Sequence, residues 1–236
     1  MNFFKTKLKS KEYIAENTLE LVMEKPEGFE FSAGQYVEIA PENILYNDKK
    51  KGNFRDLSIS SAPEDSFLSF AVRLSNSNFK KSLTEVSVGD AFLLSPAMGN
   101  FILDKKQNTS LVFLVGGIGI TPVRSILRSL QLNNIQKDVH LFYSNRRPGT
   151  AVYLDEINEV GLSTFVPNMT DNLSVEEWGG EKGVISLDML NKYLLPSDSK
   201  MYYVVGSPIF VQKMSNILEL LMIDYKNIKR EDFAGY

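Results

Sequence analysis

The sequence predicts an N-terminal antiparallel β-barrel followed by a C-terminal α/β domain built on a parallel sheet. In the first part of the chain, apolar and polar side chains alternate with a period of two, as they do in half-buried strands. From Leu111 onward, apolar runs alternate with segments whose apolar residues recur every three to four positions, which is typical of strands followed by helices. The polar segment Asp104–Ser110 separates the two patterns, so the predicted domains are residues 1–104 and 110–236.

The barrel prediction depends on short strands separated by Gly, Pro, Asn and Asp. In the clearest of them, Leu19, Leu21 and Met23 alternate with polar residues. Short strands at this spacing favour an antiparallel barrel or sandwich. The elements predicted here are strands near 19–23, 35–40, 55–61, 68–74 and 91–94, and one helix at 79–86.

The α/β prediction depends on a change in the spacing of the apolar residues along the chain. Leu111–Val115 is a continuous apolar run, as expected of a strand buried on both faces. A helical stripe follows it, formed by Val123, Ile126, Leu127 and Leu130. Because strands then alternate with helices, we expect a parallel sheet with right-handed crossovers. The predicted strands are 111–115, 139–143, 162–166, 201–205 and 226–230, and the predicted helices 123–130, 151–160, 186–193 and 208–222.

The charge balance limits the partners. The 236 residues include 26 Lys and Arg against 29 Asp and Glu, a formal net charge of −3. This balance argues against nucleic acid as the main partner. No segment approaches the ~18 consecutive apolar residues of a membrane span, and the amino terminus lacks the long apolar core of an export signal. We therefore expect a cytoplasmic protein; the oligomeric state stays open.

The rarest residue types exclude several kinds of site. The chain has no Cys, which rules out disulfides, thiol catalysis and cysteine-held zinc or iron–sulfur centres. Its single histidine, His140, cannot form a His-rich metal site, so no metal site is predicted. An enzyme built from this chain would depend on a bound cofactor for its chemistry.

The glycine-rich turn Gly116–Pro122 follows a buried strand and opens a helix. Glycines there let the backbone approach a pyrophosphate, and the helix N-terminus offers N–H groups and the positive end of its dipole. Thr121 can cap the helix, and Pro122 suits its first turn. Taken alone, the turn leaves open whether it binds a phosphate or only connects strand and helix tightly.

A second candidate is the segment Arg55–Ser61 in the barrel. An arginine beside a serine-rich strand can clamp a phosphate while the serine hydroxyls reach a flat polar ring. Taken alone, the segment is better explained as a half-exposed strand with an arginine at its edge.

In order and spacing, these segments resemble the ferredoxin–NADP reductase superfamily, which pairs an FAD-binding barrel with an NAD(P)-binding domain. The resemblance covers essentially the whole chain. The family's flavin motif, Arg-x-Tyr-Ser-x-x-Ser, matches Arg55–Ser61, and its nucleotide motif, Gly-Gly-x-Gly-x-Thr-Pro, matches Gly116–Pro122. The further matching segments are Gly34–Tyr36, Ser77–Leu83 with Gly89-Asp90, Pro96–Phe101, Val205–Pro208 with Met214, and Glu231–Phe233.

In the barrel, the resemblance implies a flavin site. Arg55 would pair with the FAD pyrophosphate, helped by backbone N–H groups around Lys80–Ser82, and Ser58 would hydrogen-bond near the flavin N5. Leu57 stands where the family usually has an aromatic residue against the flavin ring, so some stacking is lost. The flavin contacts implied in the barrel are Arg55, Asp56, Leu57, Ser58, Val72, Leu74, Lys80, Lys81 and Ser82.

In the second domain, the resemblance implies a site for NADPH or NADH. The turn containing Gly117, Gly119 and Thr121 would hold the pyrophosphate, and Gly206 would let the nicotinamide approach. Val205 stands where many relatives carry Cys. The nicotinamide side would also involve Ser207, Pro208 and Met214.

The adenosine ribose would meet Ser144, Asn145 and Arg146. Because this segment has no acid to bind a pair of ribose hydroxyls, it favours NADPH.

The carboxyl terminus completes the implied catalytic set. Phe233 would cover one flavin face, and Glu231 would lie near N5 with Ser58. The implied function is an FAD-dependent NAD(P)H oxidoreductase that passes electrons to a ferredoxin, a flavodoxin or an oxygenase component. The alternatives are a flavin reductase or diaphorase acting on free flavin or small acceptors, and a non-catalytic nucleotide-sensing module.

Overall fold

The computed structural model describes residues 3–42, 53–103, 109–194 and 200–233, in two compact units. The first unit contains the chain up to Leu103 together with Thr121–Asn133; the second contains the chain that follows Leu103 up to Ile120, and everything from Asn134. One helix, Thr121–Asn133, thus belongs with the first unit, on the other side of the predicted boundary. Asp104, where the first predicted domain ends, lies outside the described residues. The limits 1–104 and 110–236 stay a prediction for the functional domains.

The first unit is an antiparallel sheet of six strands with one helix of its own, α1 (Asn78–Glu85). The sheet order is β4-β3-β6-β1-β2-β5, and the N–H of Ser60, just after β4, donates to the carbonyl of Ser69 in β5 at 2.8 Å. The two end strands therefore approach each other without a paired ladder, which agrees with the predicted barrel class. The strands are β1 (Phe4–Ala15), β2 (Thr18–Glu24), β3 (Tyr36–Pro41), β4 (Arg55–Ser58), β5 (Phe67–Arg73) and β6 (Ala91–Leu94).

The longest strand, β1, has no counterpart among the elements predicted from the sequence. Its pairing with β2 shifts register between Leu8 and Ser10, which breaks the alternation of buried and exposed side chains. Thr6 and Leu8 are buried on one face, while the exposed positions that alternate with them are Lys5, Lys7 and Lys9. A bulged strand with so few apolar residues gives a weak period-two signal.

The second unit is a parallel sheet in the order β10-β9-β8-β7-β11-β12. Its strands are β7 (Ser110–Gly116), β8 (Val139–Asn145), β9 (Thr164–Met169), β10 (Glu181–Lys182), β11 (Lys200–Gly206) and β12 (Ile228–Asp232). The helices of this half of the chain are α2 (Ile120–Leu132, grouped with the first unit from Thr121), α3 (Leu154–Asn158), α4 (Leu187–Tyr193) and α5 (Pro208–Leu220). The predicted alternation of strands and helices is confirmed.

Several elements differ from the predicted limits, and for three of them in the second unit the local backbone explains the difference. Helix α3 is shorter than 151–160 because Tyr153, with φ of 57°, interrupts the chain just before it. Strand β9 begins at Thr164 because Gly161, with φ of 75°, turns the chain first. Strand β12 begins at Ile228 because Tyr225–Asn227 forms a 3₁₀ turn.

The strand order of the second unit reverses at β7. Strands β8, β9 and β10 lie to one side of it, and β11 and β12 to the other. The carboxyl ends of β7 and β11, at Gly116 and Gly206, therefore flank the switch point where open α/β sheets bind ligands. Within the described residues, no helix has the length and apolar character needed to span a membrane.

Candidate cofactor sites

The glycine turn after β7 is closely packed on one side and open on the other. A Cβ atom on Gly116 would lie 2.8 Å from the Phe210 ring, and one on Gly119 would lie 2.8 Å from the carbonyl oxygen of Val205. Gly117 adopts φ of +54°, and nothing lies within 4 Å of the position its Cβ would take. At the switch point, the backbone of Gly117 therefore borders open space. An exposed backbone there fits the close approach of a pyrophosphate.

The turn runs directly into α2. Gly117–Gly119 forms a 3₁₀ turn, and the helix continues from Ile120. Thr121 is therefore the second helical residue and is 2% exposed; its predicted capping role stays a prediction. Pro122 lies in the first helical turn, as predicted.

Ser144 and Asn145 end β8 beside the glycine turn. Ser144 lies opposite Gly116 in the ladder between β7 and β8. Asn145 is 5% exposed, and neither its Nδ2 nor its Oδ1 has a hydrogen-bond partner among the described residues. Because an unsatisfied buried amide costs about 1–3 kcal/mol, this position fits a ligand that offers both an acceptor and a donor.

Asn168 is a buried polar residue that the sequence analysis missed. It is fully buried and lies opposite Ser144 between β8 and β9. Its Nδ2 donates to the carbonyl of Gly183 at 2.7 Å, and its Oδ1 has no partner in the described part of the chain. The available signal was an asparagine in a strand that is otherwise largely apolar; without the sheet order, nothing linked it to Ser144.

Arg146 and Arg147 are both exposed after β8. The N–H of Asp171 donates to the carbonyl of Arg146 at 2.9 Å, so an acidic residue follows β9 next to the predicted ribose segment. Asp171 is 25 positions from Arg146 along the chain, so the residues next to Arg146 in the sequence do not indicate this acid.

Gly206, Glu231 and Phe233 come together at the carboxyl edge of β11 and β12. Glu231 lies opposite Val205 in the parallel ladder. The N–H of Phe233 donates to the carbonyl of Gly206 at 2.9 Å, and the side chains of Glu231 and Phe233 are half-buried. The predicted tail residues therefore lie beside the glycine that was predicted to face the nicotinamide.

The other residues predicted on the nicotinamide side are engaged by α5. The hydroxyl of Ser207 caps the helix by accepting the N–H of Phe210 at 3.3 Å, and Pro208 is its first residue. Met214 is 3% exposed and packs in the core of the second unit, so its side chain offers little surface to a ligand.

In the first unit, Arg55 begins β4 at the edge of the sheet. Its Nη1 donates to the carbonyl of Phe54 at 2.7 Å, and its guanidinium carbon lies 5.6 Å from the centre of the Phe79 ring in α1. The neighbouring Asp56 carboxyl has a raised pKa because of partial burial, which the charge of Arg55 opposes. Arg55 and α1, two parts of the predicted flavin site, thus lie together.

Lys80 lies in the first turn of α1 and is 8% exposed. Burial, together with the charge of Arg73, lowers the pKa of the Lys80 ammonium to about 8. Two cations in a partly desolvated place repel each other, and an anion there would relieve the cost. The pair fits a phosphate group, and Arg73 was not among the predicted residues.

The backbone of α1 offers fewer donors than predicted. The N–H of Lys80 is capped by the hydroxyl of Ser77 at 3.4 Å, and the N–H of Lys81 donates to the carbonyl of Ser77 at 3.0 Å. The hydroxyl of Ser82 donates to the carbonyl of Phe79 at 2.7 Å. The N–H groups of Lys80 and Lys81 thus have partners within the protein, and the role predicted for the N–H groups around Lys80–Ser82 stays a prediction; the Lys81 side chain is exposed.

The serine-rich segment after β4 is mostly used within the protein. Ser60 Oγ lies 2.8 Å from Ser69 Oγ, and Ser61 Oγ accepts the N–H of Ser69 at 3.1 Å. The hydroxyls of Ser60 and Ser61 are therefore engaged within the first unit. Ser58, 8% exposed and opposite Tyr36 in the ladder, ends β4 before this network begins.

Three predicted flavin contacts belong to the hydrophobic core of the first unit. Leu57 and Val72 are 3% and 0% exposed and lie in its core, and Leu74 is half-buried against it. The Leu57 and Val72 side chains therefore expose too little surface to contact a flavin.

Residues 113–216 match the family of oxidoreductase NAD-binding domains. Among characterised relatives, flavohemoprotein A of Dictyostelium discoideum is 25% identical over 213 residues, covering 85% of this chain and 52% of the relative. The reductase component of propane 2-monooxygenase from Rhodococcus jostii is 26% identical over 211 residues, covering 86% of this chain and 55% of the relative. The chain thus spans about half the length of these relatives.

Two solved structures are similar over nearly their whole length. The FAD/NAD-binding domain of nitric oxide dioxygenase from Vibrio cholerae has a TM-score of 0.83 at 20% identity, covering 99% of both chains. A ferredoxin NADP+ reductase from Neisseria gonorrhoeae, with bound FAD and NADP, has a TM-score of 0.82 at 21% identity, covering 98% of this chain and 99% of the other. The chain therefore shares its fold with these two FAD- and NAD-binding structures and matches the oxidoreductase NAD-binding family over residues 113–216, which agrees with the predicted resemblance.

Proposed function

We propose that the chain is an FAD-dependent NAD(P)H reductase that passes electrons to a protein acceptor such as a ferredoxin, a flavodoxin or an oxygenase component. The observation that carries this proposal is the glycine cradle at the switch point, open at Gly117 and bordered by the unsatisfied amide of Asn145. The names of the relatives support the coarser class, because they include reductase components and flavohemoproteins.

The coenzyme would bind across the carboxyl edge of the second unit. The backbone of Gly117 and Gly119 would hold its pyrophosphate with the first turn of α2, which contains Thr121. The buried Asn145 amide would bond the ligand through both of its polar atoms. Gly206 would let the nicotinamide approach the end of β11. The position requires glycine, because a Cβ there would lie 2.9 Å from the Phe210 ring. Ser207 and Pro208 would border that space.

NADPH is the coenzyme we propose. The hydroxyl of Ser144 and the exposed guanidinium of Arg146 would donate to a 2′-phosphate. Asp171, bonded through its backbone to Arg146, opposes this preference, because a carboxylate repels a phosphate.

The flavin would bind the first unit at β4 and α1. Arg55 would hold its pyrophosphate together with the ammonium groups of Lys80 and Lys81, whose charges a phosphate would balance. The hydroxyl of Ser58 would hydrogen-bond near N5. Bound FAD supplies the hydride-accepting chemistry, and the chain's residues bind and orient it. The finer roles of Asp56, Ser82, Glu231 and Phe233 stay predictions.

The direct test is anaerobic mixing of the purified, FAD-loaded protein with NADPH or NADH, followed by a candidate acceptor. The proposal expects the visible absorbance of the flavin to fall with NADPH and to recover when the acceptor is added. A protein that binds no FAD after reconstitution, or whose flavin stays oxidised with both coenzymes, would overturn it and favour a nucleotide-sensing module.

One observation favours a second candidate, a flavin reductase that acts on free flavin. Leu57 lies in the barrel core, so this position offers no aromatic face to a flavin ring. Weak flavin retention is the expected consequence. Loss of FAD on gel filtration, together with reduction of added free flavin, would favour this candidate over electron transfer to a protein.

A further inference from the structure

Helix α2 presents a polar face to the segment Ser60–Asp65, which follows β4. Nη1 of Arg124 donates to the carbonyl oxygen of Ser60 at 3.0 Å. The hydroxyl of Ser125, which is fully buried, donates to the carbonyl oxygen of Ser61 at 2.6 Å. Ser60 and Ser61 are also fully buried, and a carbonyl that loses its donor in such a place is costly.

The same helix lies against the turn that supports this segment from the side of β3. The N–H of Ile59 donates to the carbonyl of Gln35 at 3.0 Å, just before β3 begins. A Cβ on the preceding Gly34 would lie 3.1 Å from Cδ1 of Ile126 in α2. The backbone between β4 and the segment is thus enclosed by α2 and by the turn at Gly34.

The later turns of α2 are attached to the far end of the segment. The Arg128 guanidinium contacts the Asp65 carboxylate twice, Nε to Oδ2 at 2.6 Å and Nη2 to Oδ1 at 2.7 Å. Burial alone would raise the pKa of Asp65, but its hydrogen bonds and the nearby guanidinium charges lower it, so the pair is charged. Oε1 of Glu64 accepts from the hydroxyl of Ser129 at 3.1 Å and from the amide of Asn133 at 2.5 Å.

The first of these contacts lies two residues from Ser58, whose hydroxyl the proposed function places near the flavin N5. Ser58 ends β4, and only the fully buried Ile59 separates it from Ser60. A shift of the Ser60 peptide is therefore passed on to Ser58 over a very short stretch of backbone. Binding groups have to be held within about 0.5 Å of their productive position, which supporting hydrogen bonds achieve.

We infer that Arg124 and Ser125 are positioning residues for the flavin: from α2 they hold the backbone that follows Ser58 and so keep its hydroxyl directed at the flavin ring. This inference rests on the proposed function, and all of these residues belong to the first unit. Neither Arg124 nor Ser125 has to contact the flavin. The flavin site of the barrel is thus completed by a helix that follows the glycine turn in the sequence.

The test measures the dissociation constants of FAD and of riboflavin by fluorescence as the apoprotein of the full chain is reconstituted. Riboflavin has the flavin ring without the pyrophosphate, so it reports on the ring part of the site. Arg124→Met and Ser125→Ala should raise both constants by a similar factor of about 2- to 30-fold, the range of effects that reach a site without direct contact. Arg124→Lys keeps a donor for the Ser60 carbonyl and should recover part of the loss. Arg55→Ala, by contrast, should weaken FAD binding and leave riboflavin binding unchanged.

A double-mutant cycle separates positioning from a general loss of stability. In a Ser58→Ala background, Ser125→Ala should change the FAD constant little further, because the group that Ser125 positions is already missing. The matched control is Arg128→Lys, which keeps the charge but loses the two-pronged contact with Asp65. It should lower the melting temperature and leave both flavin constants unchanged, since its contact lies at the far end of the segment.

The contradicting result is a fall in melting temperature in Arg124→Met and Ser125→Ala with FAD and riboflavin constants equal to those of the parent. An undiminished effect of Ser125→Ala in the Ser58→Ala background, or a loss of FAD affinity without a loss of riboflavin affinity, would also overturn the inference. Ser125→Ala removes a single oxygen atom, so the test holds even if Arg124→Met fails to fold. In each of these cases the proposed function would stand. A parent protein that bound neither FAD nor riboflavin would defeat the proposed function, and this inference with it.

Discussion

The backbone N–H of Phe233 donates to the carbonyl oxygen of Gly206 across 2.9 Å, one residue beyond the last rung between β11 and β12. This bond keeps the chain on the sheet past Asp232 instead of letting it fray, which is the common behaviour of chain ends. The backbone of Phe233 is therefore held beside the glycine where a nicotinamide would approach. This position supports the proposal that Phe233 belongs to the site.

The first prediction concerns this tail. Phe233→Ser should alter the affinity for NADP+ and shift the visible spectrum of the flavin, because the ring proposed to cover the flavin is replaced by a small polar side chain. Truncation after Arg230 should have the same effect with a loss of stability, since it also removes the β12 rungs at Glu231 and Asp232. Coenzyme titration and the flavin spectrum provide the measurement.

The control for the tail is Tyr236→Ser, at a position outside the described residues. It should reproduce less of the effect, because Tyr236 lies beyond the matching motif. If the Phe233 variant kept the parent's spectrum and NADP+ affinity, the tail would have no part in the site.

The second prediction concerns flavin retention. Arg55→Ala should weaken FAD binding by about 1.5–3 kcal/mol, the range for a hydrogen bond to a charged group. The FAD dissociation constant, measured by fluorescence as the apoprotein is reconstituted, checks this. Lys7→Ala is a suitable control, since Lys7 is an exposed lysine of β1 in the same unit. An unchanged FAD constant in the Arg55 variant would remove Arg55 from the site.

The third prediction is that replacing Asn145 raises the stability of the ligand-free protein and weakens coenzyme binding. Asn145→Leu removes the two unpartnered amide atoms and keeps the volume, so the ligand-free protein should gain about 1 kcal/mol of stability. The same change should weaken NADP+ binding, because the ligand loses its partners. Thermal melts with and without NADP+ measure both effects. A variant that loses stability and keeps its NADP+ affinity would show that the amide is satisfied within the protein.

The fourth prediction concerns the choice of coenzyme. Arg146→Ala should lower kcat/KM for NADPH more than for NADH, because only NADPH carries the 2′-phosphate that the guanidinium would bind. Asp171→Asn should move the ratio the other way by removing a repulsive charge next to Arg146. Steady-state kinetics with both coenzymes decide. Equal efficiencies that neither substitution changes would defeat the preference for NADPH.

The local signals of this chain were read correctly from the sequence. The glycine turn after Val115 and the helical stripe from Val123 to Leu130 depend on neighbours along the chain, so their spacing is visible in one dimension. The fold class followed from the same periodicities.

What the sequence could not show depends on contacts between distant residues. Asp65 and Arg128 are 63 positions apart, and nothing in either segment indicates that they meet. Asn168 and Asp171 join the candidate site only because β9 lies next to β8. The burial of Leu57 and Met214 could not be predicted for the same reason. A motif gives a residue's place in the sequence, whereas packing against distant residues decides whether its side chain faces the core.

The central claim is that coenzyme bound at the glycine turn reduces a flavin held by the barrel. The most direct test is anaerobic reduction of the FAD-loaded protein by NADPH, measured for the parent and for two glycine variants. Gly119→Ala places a Cβ 2.8 Å from the Val205 carbonyl, whereas Gly179→Ala meets nothing within 4 Å. The account predicts rapid flavin reduction in the parent and in Gly179→Ala, and slow reduction in Gly119→Ala with FAD still bound. Equal rates in all three proteins, or an oxidised flavin in the parent, would contradict it.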